Sequence, residues 1–212
     1  MNKMKKRRDR ELPYISNASV LAEQFRSKVL LSWFNRSLPF NVPKEYLIFR
    51  LLGLRHGKNT VIEPPFRFDY GSHIELGDNF YANSGCTIID VAKVKIGDNV
   101  MFGPGVAIMT AGHPIHPDIR NTRYEYGIAI TIGDNVWIGA NAVVLPGVRI
   151  GDNTVIGAGS VVTKDIPSGV VAVGNPCKPI RDITDEDMQF YFKDRRFDEE
   201  SWADIQKKLN RK

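Results

Sequence analysis

Cysteine and histidine are scarce in this chain, with two cysteines and four histidines among 212 residues. Cys86 and Cys177 are too few for a disulfide framework and lack metal-ligand spacing, which agrees with a reducing compartment. No apolar run approaches the roughly 20 residues needed to cross a bilayer, and the longest, around Leu30 and Leu51, are broken by charge. The basic start MNKMKKRRDR is followed by no apolar segment or small-residue cleavage site, which argues against a secretory signal. The expectation is a cytoplasmic protein with no membrane partner. Large charge imbalance is missing too: 29 basic and 24 acidic residues leave +5, and much of that excess lies in the first ten residues, where six cations face only Asp9. A solvated tail is expected there, without a nucleic-acid partner. An apolar share of 42% and a charged share of 25% are globular in composition.

What the chain does have is a period of six. In IGDNVWIGANAVVLPGVRIGDNTVIGAGSVVTKDIP, steps of six from Ile132 reach Ile138, Val144, Ile150, Ile156 and Val162, all aliphatic. The fifth positions of these hexads, Val136, Ala142, Val148, Thr154, Ser160 and Ile166, are small or β-branched. Neither a helix nor an ordinary strand has this period. A three-sided coil does: each hexad supplies a short strand and a corner, three close a turn, and aliphatic side chains stack on their equivalents along the prism. The same phase holds at Ile96, Phe102 and Ile108. Leu76 is two residues out of register with Ile96, so one turn must absorb a slip, and weaker hexads begin at Ile62 and Phe68. The fold class is an all-β solenoid, a parallel β-helix.

The pattern breaks once, in PIHPDIRNTRYEYGIAIT at 114–131, where the sixth positions are Pro114, Arg120 and Tyr126. No core accepts that trio, so the segment is expected as a loop ejected from the scaffold, a usual place for function. Apolar residues at helical intervals predict a helix across SVLAEQFRSKVLLSWFN with Ser19 as its cap, and a second helix after Pro43. The charged stretch after Ile183 also reads as helical. This gives a basic tail and helical cap over 1–55, the solenoid over 56–181 and a helical extension over 182–212. His113, where the chain leaves the scaffold, suits general-base work.

PPFRFDYGSHIELGDNFYANSGCTIIDV, IGDNVMFGPGV, TAGHPIHP and GAGSVVTKDIPSGVVAVGNPCKPIR, with the repeat quoted above, resemble the galactoside and maltose O-acetyltransferases of the bacterial hexapeptide-repeat family. The likeness runs from about Val61 to Ile183, and FYFKDRRF is similar to the galactoside enzyme's tail. It implies a left-handed coil, a homotrimer with sites between subunits, and acetyl transfer from acetyl-CoA to a sugar hydroxyl, without a metal. His113 matches the family's catalytic histidine, Asn83 an asparagine near the acceptor, and Asp69 and Asp90 acceptor-pocket positions; Glu125 would orient His113. Gly103, Ala140 and Ala158 match positions whose backbone lines the pantetheine channel, with an amide near Ala140 available to the oxyanion and Trp137 over part of the channel. Thr163, Lys164, Lys178 and Arg181 match residues near the nucleotide end.

The departures concern the acceptor. Ile15 and Gln24 fall where the family often has an acidic residue and an arginine. Val91 stands where galactoside enzymes tend to carry a second acidic residue, which points to glucose- or maltose-type acceptors. Two other readings stay open at this stage: a non-catalytic binding module, and a γ-type carbonic anhydrase using His73, His113 and His116 as zinc ligands.

Overall fold

A computed structural model describes residues 3–36 and 42–210, in two units that divide after Arg181. The first is a left-handed parallel β-helix of about six turns preceded by three helices. One face stacks Arg55–His56, Ile74–Leu76, Val94–Ile96, Ile130–Ile132 and Arg149–Ile150. The second begins at Val61–Ile62 and ends, through Trp137–Ile138 and Val155–Ile156, at Val170–Gly174 and Cys177–Asp182. The third holds Arg67–Phe68, Thr87–Ile89, Ala107–Met109, Val143–Val144 and Val161–Val162. All six aliphatic positions counted from Ile132 are buried, as are the six fifth positions. Each buried aliphatic contributes roughly 2 kcal/mol by its removal from water.

The edge between the first and second faces explains the recurring Gly-Asp-Asn. Asn59, Asn79, Asn99, Asn135 and Asn153 all take left-handed backbone conformations with φ of 54–57°. Their side-chain amides form a ladder, with successive Nδ2 to Oδ1 distances of 2.9, 2.9, 3.1 and 2.9 Å. Asp98 accepts the amide of Asp78, Asp134 that of Asp98, and Asp152 that of Asp134, at 2.7–2.8 Å. The preceding glycine has no alternative, since a Cβ at Gly133 would come within 2.0 Å of Asp152 Oδ1. Sequence order therefore becomes a corner through hydrogen bonds repeated turn by turn.

Spacing along this ladder is 20 residues from Asn59 to Asn79 and from Asn79 to Asn99, 36 to Asn135 and 18 to Asn153. Two turns therefore absorb a two-residue slip, where the sequence led us to expect one. Both insertions lie at the edge between the third and first faces, at Asp69–His73 and Asp90–Lys93, and the chain leaves the coil at that same edge one turn later, returning at Ile130, so the loop ends two residues before the expected 131.

Helix α1 covers Lys3–Arg8, α2 Ala18–Asn35 and α3 Val42–Leu52. The basic start is not a solvated tail. Arg8 is 4% exposed, bonded to Asp9 at 2.8 Å and Glu23 at 2.9 Å, with its guanidinium 4.4 Å from the Tyr70 ring centre, and Lys5 also reaches Glu23. Asn17, not Ser19, caps α2, accepting from Val20 N; Ser19 Oγ donates to the Asn17 side chain. Ser27 Oγ donates to Tyr70 O and Asn35 Nδ2 to Phe66 O, fixing α2 against the first turn. Leu31, Phe34, Ile48, Phe49 and Leu52 join the solenoid core, while Leu21, Phe25, Val29 and Trp33 stay exposed on the far side of α2.

The second unit differs from a purely helical extension: a short 3-10 helix at Asp185–Gln189 leads to an antiparallel pair, Phe190–Phe192 with Arg195–Arg196, and then to a helix at Glu199–Leu209 capped by Asp198. Lys193, with φ of 50°, makes the turn that a helix could not contain. Among the described residues no helix is long and apolar enough to cross a membrane.

Candidate active site

The edge between the third and first faces gathers most of the polar candidates. Asp90 is fully buried, and its carboxylate accepts the amides of Asp69 and Tyr70 at 2.9 Å and of Gly71 at 2.7 Å. Burial pushes this carboxyl up to about 7, against the downward pull of the three amides. With every oxygen engaged, Asp90 shapes the corner rather than facing a ligand. Asp69, half-buried on that corner, is raised mainly by burial; Lys28 lowers it and Glu125 raises it, so these charges share one neighbourhood. His73 Nδ1 donates to Asp90 O at 2.6 Å, and burial holds it below its ordinary value.

One turn further along, Thr110 Oγ1 accepts Ala92 N at 3.0 Å and donates to Ile89 O at 2.6 Å, and the chain then leaves the coil. Ala111–Gly112 pairs antiparallel with Tyr126–Gly127, joining Ala111 to Gly127 and Gly112 to Tyr126. One more step of that register sets Glu125 opposite His113. His113 is exposed at the strand end, and a short helix, α4 at Pro117–Asn121, occupies the loop beyond it. Glu125 is half-buried, accepts Ser16 Oγ on Oε1, and its backbone is bridged to Tyr14. Burial, with Tyr70 and Glu125 nearby, pushes the Tyr14 hydroxyl well above its usual range. Tyr14, Tyr70 and Val91 pack together with Val20, so Val91, at 3% exposure, is part of the core.

Asn83 lies elsewhere. It follows Tyr81–Ala82 at the edge between the second and third faces, donates its amide to Phe102 O at 3.0 Å and accepts Ser84 N at 2.8 Å. Gly103 N reaches Ile138 O at 2.8 Å in the next turn, and a Cβ at Gly103 would meet Ala140 N at 2.7 Å, so the backbones there touch. Ala140 and Ala158 continue this line of small residues, half-buried and exposed respectively. Trp137, 51% exposed, stands outside the second face between Met101 and Val155. Lys178 and Arg181 are exposed on the last strand of that face, while Thr163 and Lys164 are exposed at the His113 edge. One chain thus keeps His113, Glu125 and Asp69 apart from Asn83, Gly103, Ala140 and Ala158 by the width of the third face, roughly 10 Å for three residues at about 3.3 Å each. Among the described residues, no three His, Cys, Asp or Glu side chains are grouped to hold a metal ion.

Comparison with known proteins decides the family. The bacterial transferase hexapeptide pattern of six repeats matches residues 129–164. The galactoside O-acetyltransferase of Escherichia coli (strain K12) is 49% identical over 172 residues, covering 81% of this chain and 85% of that protein. The chain belongs to the hexapeptide-repeat O-acetyltransferases of the galactoside and maltose type. It is an acyltransferase. A galactoside acetyltransferase solved in complex with coenzyme A superposes with a TM-score of 0.87 at 44% identity, covering 93% of this chain and 100% of that one. A maltose O-acetyltransferase from Clostridium difficile 630 gives 0.81 at 44% identity, covering 87% and 99%.

Ser16, Tyr14, Arg8 and Tyr70 were not singled out by the sequence. Ser16 is 109 residues from Glu125, and no local pattern joins them.

Proposed function

We propose that the chain transfers the acetyl group of acetyl-CoA to a sugar hydroxyl, with His113 as general base. The observation that carries this reading is the position of His113 at the loop exit, opposite Glu125 and on the same edge as Asp69. An alcohol is a weak nucleophile at neutral pH and needs a base at the moment of attack. His113 takes the hydroxyl proton as the oxygen bonds to the thioester carbonyl carbon. The carbonyl electrons move to oxygen, which the amide near Ala140 stabilises. Collapse breaks the carbon–sulfur bond, and the leaving thiolate receives the proton from His113. Glu125 orients the imidazole, and Asp69 accepts a hydrogen bond from the sugar.

The small-residue line of Gly103, Ala140 and Ala158 suits the pantetheine arm, with Trp137 at its side; Thr163, Lys164, Lys178 and Arg181 suit the phosphates and nucleotide. Asn83 lies on the pantetheine edge, so a complete site needs the edges of two copies. A homotrimer supplies this, and the outer surface of the third face supports it: Thr87, Ala107, Val143 and Val161 are small or apolar, whereas the first face presents Arg55, Glu75, Lys95 and Arg149. Asp90 enters this account as the group that shapes Asp69's corner, not as a sugar ligand.

Val91, packed inward, stands after Asp90 where a second carboxylate could have met an acceptor hydroxyl, which favours a glucose- or maltose-type acceptor over a β-galactoside. Thiol release from acetyl-CoA, measured with maltose, glucose and a β-galactoside, tests this reading. Release stimulated most by maltose or glucose supports it; a clear galactoside preference overturns the acceptor assignment, and no release with any sugar overturns the activity.

A further inference from the structure

We infer that Ser16 is a positioning residue that sets the Glu125 carboxylate for His113, and that the segment from Glu11 to Ser16 acts as an added strand holding the loop in its working form. This rests on the proposed roles of His113 and Glu125. The base of the loop emerging at His113 is a pairing of only two residues in each strand, continued by Ile128 N donating to Thr110 O at 2.9 Å. The N-terminal segment adds ties on the Glu125 side. Tyr14 N donates to Glu125 O at 2.9 Å, and Glu125 N donates to Tyr14 O at 3.0 Å, a closed antiparallel bridge. Four residues further along the loop, Ala129 N donates to Glu11 Oε1 at 3.2 Å. Ser16 Oγ then donates to Glu125 Oε1.

These contacts divide the labour at Glu125. Its backbone is fixed by Tyr14, and one carboxylate oxygen by Ser16. Carried one step past Gly112–Tyr126, where the paired strands end, the same register brings Glu125 level with His113, to which the second oxygen is assigned. A carboxylate with one oxygen held presents the second in a fixed direction, which is what orienting an imidazole requires. Tyr14 is fully buried between Val20, Tyr70 and Val91, so the strand is anchored in a core and cannot slide along the loop.

The test compares Ser16→Ala, Ser16→Thr, Glu125→Gln and the Ser16→Ala/Glu125→Gln double variant by steady-state kinetics with acetyl-CoA and the best acceptor. Ser16→Ala is expected to lower kcat about tenfold, the worth of one hydrogen bond to a charged group, with KM for acetyl-CoA unchanged. Ser16→Thr, which keeps the hydroxyl, is expected to recover most of that loss. In the Glu125→Gln background Ser16→Ala is expected to add little, because the two residues act as one unit. Full kcat in Ser16→Ala, or a loss that multiplies in full with that of Glu125→Gln, would overturn the inference. His113→Ala, measured beside them, separates the two levels: an active His113→Ala rejects the base assignment itself, whereas an inactive one beside a fully active Ser16→Ala rejects only the role of Ser16.

Discussion

Two edges of the same prism are built on opposite principles. Between the first and second faces, the four corners at 77–79, 97–99, 133–135 and 151–153 repeat one solution: a glycine too crowded for a Cβ, an aspartate that accepts the amide of the turn before, and an asparagine in left-handed conformation that joins a side-chain amide ladder. Between the third and first faces no corner repeats the next. Asp69–His73 and Asp90–Lys93 carry insertions, Thr110 opens the loop, and the turn from Val144 to Ile150 closes again in six residues. Identical corners satisfy the backbone with local, stacked bonds and leave nothing over for a ligand. The irregular edge must be held by side chains from distant segments, and those side chains bring the polar groups that catalysis uses.

If this contrast is right, the most damaging change to function lies on the irregular edge. His113→Ala is expected to lower turnover at least about a hundredfold, the lower end for a general base, with little change in unfolding midpoint. Near-normal turnover would break the functional half of the comparison. For stability, Asp90→Ala should be the costliest of the corner changes, about 2–4 kcal/mol, because three buried amides lose their acceptor together. Chemical denaturation measures it.

Asn99→Ala, on the regular edge, is expected to cost about 1–2 kcal/mol from left-handed strain and the broken ladder, and Asn99→Gly less, because glycine relieves the strain. A cost at Asn99 above that at Asp90 would reverse the ranking of the edges. The smallest effect concerns the brace at Glu23. Burial would raise its carboxyl, but Lys5 and Arg8 outweigh that and hold it below its usual value of 4.5. A lowered carboxyl stabilises the fold above its unfolded value, and that contribution is lost as pH falls through the folded one. Hydrogen-exchange protection at the Tyr14 and Glu125 amides should therefore weaken as pH falls below the ordinary carboxylate value of 4.5, and Glu23→Gln should show a weakening of under about 1 kcal/mol already at neutral pH.

The contrast also explains what could be read in advance. Period six is a side-chain periodicity, so Ile132 to Val162 and their fifth-position partners announce the prism without any structure. The slips were harder, since weak hexads at Ile62 and Phe68 conceal where two residues are added. The loop and His113 were visible as a break in the pattern. Their support was not: Arg8 reaches Tyr70, and Ser16 reaches Glu125, across separations that carry no local signal. The burial of Val91 was illegible for the same reason, because it depends on Tyr14 arriving from the other end of the chain. In the second unit, the turn at Lys193 interrupts what charge patterning presented as a continuous helix.

The central claim is that the His113 edge of one chain works with the small-residue edge of another. Its most direct test mixes two inactive proteins, His113→Ala and Ala158→Glu, the second placing a bulky carboxylate in the pantetheine line. After subunit exchange, the mixture is predicted to recover acetyl-CoA-dependent acetylation well above either parent, because some pairs of neighbouring chains then present an intact His113 edge to an intact Ala158 edge. If exchange is verified and activity stays at the level of the parents, each chain carries its own complete site and the account is contradicted.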